Sequence, residues 1–74
     1  MQRTLLSNCN YNLTKQLDKK SQFLWAVDSY IKDAEKEGNS KCAEIFSKIK
    51  ADEERHLDML KQEIARLSKE EKFT

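Results

Sequence analysis

The only glycine in this chain, Gly38, stands close to the middle of its 74 residues, and there is no proline. A chain with one conformationally free residue and no ring-locked one has almost nothing to interrupt helices or to form the tight turns of a sheet. Two long helices joined at Gly38 are therefore the simplest fold it can adopt. Gly38 follows Glu35-Lys36-Glu37, where a first amphipathic stripe runs out, as a left-handed C-terminal cap requires. Asn39 or Ser40 then caps a second helix. So short a connection turns the chain back on itself as an antiparallel helical hairpin.

Both stripes follow the helical period. Leu13, Leu17, Leu24, Val27, Ile31 and Ala34 recur at steps of three and four residues, with Lys20 standing where an apolar residue belongs. Cys42, Ile45, Phe46, Ile49, Leu60, Ile64 and Leu67 make the second stripe, and Glu53 and His56 fill its gap. The reading predicts a loose arm over 1–11, helices over about 12–37 and 40–68, and a frayed tail over 69–74. Asn10, Asn12 and Thr14 are rival caps for the first helix. Leu5, Leu6 and Phe73 are apolar residues in the flanks that can dock on a bundle.

Charged residues make up 36% of the chain, and their formal sum is only +1. Acids and bases alternate along both halves, so there is no basic footprint for nucleic acid or an anionic membrane. They read as solvated helix faces with supporting i to i+4 pairs, Asp28 with Lys32 and Glu44 with Lys48. The longest apolar run, Phe23 to Val27, is far short of the roughly 20 residues that span a bilayer. Met1 to Leu6 is too short for a signal peptide, so the expectation is a cytoplasmic protein with reduced thiols. Cys9 and Cys42 form no CxxC motif, and Cys42 reads as a small core residue.

Two amphipathic helices cannot enclose a core, because each seam still presents an apolar flank to water. A single core of this size supplies only about 3 to 5 kcal/mol. The expected closure is an isologous homodimer, two hairpins forming an all-α four-helix bundle. Phe23, Trp25 and Tyr30 lie partly off the main seam and suit a broader interface.

Glu53 and His56, one helical turn apart, point the same way and can share one ligand, of which a metal ion is the usual kind. The alternative is a buried polar layer of Lys20, Glu53 and His56 that fixes the register of the bundle.

Tyr30-Ile31-Lys32-Asp33-Ala34-Glu35-Lys36-Glu37-Gly38, then Ala43-Glu44-Ile45-Phe46, then Glu53-Glu54-Arg55-His56, resembles the first helical hairpin of rubrerythrin and its ferritin-like relatives. The match runs without a gap from about Lys19 to Leu57. It implies a half-length ferritin-like hairpin that pairs into a four-helix bundle. It also implies iron as cofactor, with Glu53 bridging metals and His56 binding one. Apart from the resemblance, Glu53 and His56 of both protomers supply two oxygens and two nitrogens, a set that suits a single Zn, Fe or Mn ion. The same register puts the family's first-helix carboxylate ligand at Lys20. A protonated Lys20 about 5 Å from a divalent ion would be repelled by roughly 7 kcal/mol at an effective dielectric of about 20.

Two readings follow from the resemblance. In the first, the chain is a non-enzymatic member that keeps the bundle and acts as an interaction module, with Lys20 in place of a metal ligand. In the second, it is an iron-binding protein with ferroxidase or peroxide-reducing activity, using Glu53 and His56 at the dimer interface. Nucleophilic catalysis is unsupported, since the one histidine has no serine or cysteine a helical turn away.

Overall fold

The computed structural model describes residues 7–71. Leu5, Leu6 and Phe73 lie outside them. Two helices, α1 (Asn8–Lys36) and α2 (Ser40–Lys69), make up the described chain, and they pack on each other as the predicted hairpin, with no strand among the described residues.

The turn is built from three residues. The Asn39 amide donates to the Ala34 carbonyl at 2.9 Å and the Gly38 amide to that of Glu35 at 3.0 Å, which is the paired Schellman closure of a helix C-terminus. Gly38 takes φ +72° there. The Asn39 side chain accepts from the Cys42 amide at 3.0 Å, so one residue ends α1 and caps α2. A β-carbon added at Gly38 would meet nothing within 4 Å. The cost of Gly38→Ala is then backbone strain alone, about 1 kcal/mol, expected as a small fall in melting temperature without loss of helix content by circular dichroism.

α1 starts at Asn8, four residues before the expected boundary. Ser7 is the cap. Its side-chain oxygen accepts from the Asn10 amide at 3.1 Å and its carbonyl from the Tyr11 amide at 2.9 Å. Residues 8–11, expected in a loose arm, are therefore helical, and Asn10, Asn12 and Thr14 all lie inside the helix. Thr14 instead donates from its hydroxyl to the Asn10 carbonyl at 3.0 Å, a back-bond available only within a helix. At the other end α2 runs through Lys69, with Arg66 bridging Glu63 at 2.7 Å and Glu70 at 3.1 Å across its last turns.

The core is thin. Val27, Ala34 and Leu67 are the buried apolar residues among those described, and Asn10 is buried with them. Phe23, Tyr30 and Phe46 form an aromatic row that runs from the middle of α1 toward the turn, with centroids 6.3 and 5.4 Å apart. Trp25 is 90% exposed on the opposite side of α1. Asp28 pairs across the hairpin with Lys50 at 2.9 Å rather than with Lys32 as expected, because Lys50 faces it from α2. The Glu44–Lys48 pair forms, at 3.5 Å.

The second apolar stripe is really two. Phe46, Lys50, Glu53, Leu57, Leu60, Ile64 and Leu67 face α1 and are all partly or fully covered. Ile45, Ile49 and Met59 stand to one side, at 49%, 40% and 62% exposure.

Candidate functional site

The structure brings Lys20, Glu53 and His56 together. Lys20 comes from the middle of α1, at the position that interrupts its apolar stripe, and Glu53 from the covered seam of α2. The Lys20 ammonium donates to both Glu53 oxygens, at 3.3 Å to Oε1 and 3.4 Å to Oε2. His56, one turn along α2, lies with Nδ1 2.9 Å from Glu53 Oε1. A carboxylate has no proton to give, so this contact is a hydrogen bond when Nδ1 carries the proton. That leaves Nε2 for another partner.

The cluster sits at the edge of the seam and is not sealed. Side-chain exposure is 25% for Lys20, 19% for Glu53 and 47% for His56, so the layer expected to be buried is half-open in a single hairpin. An open groove of about 330 Å³ adjoins it, lined by Leu13, Lys20, His56, Met59, Leu60 and Glu63.

The Glu53 carboxyl is held below its ordinary 4.5, first by the hydrogen bond with His56. Partial burial opposes this, and the hydrogen bond and charge of Lys20 reinforce it. A carboxyl with a lowered folded value contributes stability that is present above about 4.5 and is lost as the pH falls through that lowered value. Between about pH 6 and about pH 3, thermal melts of the native chain are expected to lose more stability than those of Glu53→Gln. Parallel losses would show that Glu53 carries none of the acid response.

The donor set of one hairpin does not fit a metal ion as arranged. Both Glu53 oxygens already face an ammonium, and no group of three or more His, Cys, Asp or Glu side chains is placed to hold an ion among the described residues. A second hairpin would add another Glu53 and His56, and with them another Lys20.

Cys9 is exposed near the start of α1 and Cys42 is half-buried just past the turn, and both are free thiols. They stand at opposite ends of the hairpin, beyond the reach of a disulfide within one chain. No helix among the described residues is long and apolar enough to cross a membrane.

Sequence reasoning missed the cross-hairpin contacts of Asp28 and Phe46. Counting outward from Gly38 brings such pairs to within three residues of level. Tyr30 and Phe46 are each eight residues from it, Asp28 and Lys50 ten and twelve, and Lys20 and Glu53 eighteen and fifteen.

Comparison of this chain with protein-family models, with curated proteins and with solved structures finds no match.

Proposed function

We propose that the chain is a small self-pairing helical module, a ferritin-like hairpin in which the Lys20 ammonium stands where a metal ion would otherwise neutralise Glu53. The observation that carries this reading is the contact of Lys20 Nζ with both Glu53 oxygens, at 3.3 and 3.4 Å. One carboxylate and one ammonium cancel, so the pair needs no further cation. The cluster then serves to fix which faces meet, since a polar group on a helix seam penalises registers that leave it unpartnered. The module acts through its surface and not through catalysis, in a reducing compartment such as the cytoplasm.

Self-pairing is supported by the thin core and by the exposed Ile45, Ile49 and Met59 beside the cluster. Sedimentation equilibrium of the native chain is expected to give twice the 8.7 kDa chain mass. A single 8.7 kDa species over the whole concentration range would refute the reading. Iron chemistry at paired Glu53 and His56 is the competing reading, and it requires Lys20 to leave Glu53.

A further inference from the structure

The exposed flank of α2 carries a pattern of its own. Ile45, Ile49, Asp52, His56, Met59 and Glu63 follow steps of four, three, four, three and four residues. This is a second seam, displaced by about 90° around the helix from the one that faces α1. Its spacing reads the same in both directions. Reversed about Glu54, Ile45 falls opposite Glu63, Ile49 opposite Met59 and Asp52 opposite His56.

Resting on the self-pairing reading, we infer that α2 packs antiparallel against α2 of a second copy, about a twofold axis level with Glu54, with Asp52 paired to the partner's His56. The spacing is that of helices meeting knobs into holes at a shallow angle. Apolar residues meet across the axis, Ile49 against the partner's Met59. At the outer ends Ile45 lies over the partner's Glu63, whose charge is already met by Arg66 at 2.7 Å. At the centre, His56 has Glu53 at Nδ1, and Nε2 is the atom left for the partner's Asp52. Asp52 already accepts from Arg55 at 2.9 Å and has acceptor capacity to spare.

The alternatives are worse on charge. A parallel pairing in register sets Asp52 against the partner's Asp52. Shifting the antiparallel register by one heptad sets either Ile49 against Asp52 or Asp52 against Glu63. Only the register about Glu54 matches apolar with apolar and acid with histidine in the middle of the seam. A symmetric pair makes each such contact twice.

Cysteine cross-linking of the full chain tests this, in a background of Cys9→Ser and Cys42→Ala whose helix content is first checked by circular dichroism. Ile49→Cys and Met59→Cys chains, mixed and oxidised in air, are expected to give on the order of ten times more linked dimer than either chain alone. The two Ile49 positions of such a dimer lie about 15 Å apart along the axis, too far for a disulfide. Ile45→Cys mixed with Glu63→Cys tests the same register if an inner substitution unfolds the chain. Self-linking of Ile49→Cys, or no linking in either mixture while the background chain still sediments as a dimer, overturns the inference and leaves self-pairing standing. A monomeric native chain overturns both.

Discussion

Lys20→Met is expected to lower the stability of the folded protein by about 1 to 2 kcal/mol in urea unfolding, and adding Glu53→Leu is expected to recover most of that loss. The single change keeps an unbranched apolar stem only one atom shorter, so packing along α1 is largely preserved. What it removes is the ammonium that touches both Glu53 oxygens. Breaking a fully buried pair costs about 3 to 5 kcal/mol, because one charge is stranded. Here the side chains retain 25% and 19% exposure, and water screens part of the penalty. The double change strands nothing and fills the seam with apolar volume. If Lys20→Met leaves the unfolding midpoint unmoved, Glu53 does not depend on Lys20.

Lys20→Glu reverses the charge at the same position and has the larger consequence. It sets a second carboxylate against Glu53, leaving like charges facing each other in each hairpin. Without metal the variant is expected to melt below the native chain. With ferrous or zinc ion added it is expected to recover, by about 2.7 kcal/mol when the free ion reaches a hundred times its dissociation constant. The native melting temperature is expected not to respond to the same additions. A variant indifferent to both ions would mean that the hairpins do not bring their Glu53 and His56 side chains to a common point.

The turn and the cluster were the most legible parts of this chain, and for the same reason. A single glycine in a chain without proline leaves one place for a reversal, and the observed closure uses Gly38 at positive φ with Asn39 as the next cap. Once the reversal is fixed, Lys20 on one stripe and Glu53 on the other must approach. The start of α1 was harder to read. Ser7, Asn10, Asn12 and Thr14 all have capping side chains, and local chemistry does not rank them when each is followed by helix-compatible residues.

The stripe of α2 was misread for a geometric reason. Residues 45 and 46, or 49 and 50, differ by 100° around the helix, yet a list of apolar positions merges them. Only the position of α1 separates the covered Phe46 from the exposed Ile45. The same merging hid Met59 and Asp52, which gain meaning only as neighbours of His56 on the outer seam. Asp28 was likewise assigned to its own helix, although Lys50 reaches it from across the hairpin at 2.9 Å.

The most direct measurement is the metal content of the native chain after anaerobic incubation with ferrous iron and desalting. With Lys20 occupying the place of a cation, no stoichiometric iron is expected. One ion or more per two chains would contradict this, since Glu53 would then have exchanged its ammonium for a metal and the iron-binding reading would take its place.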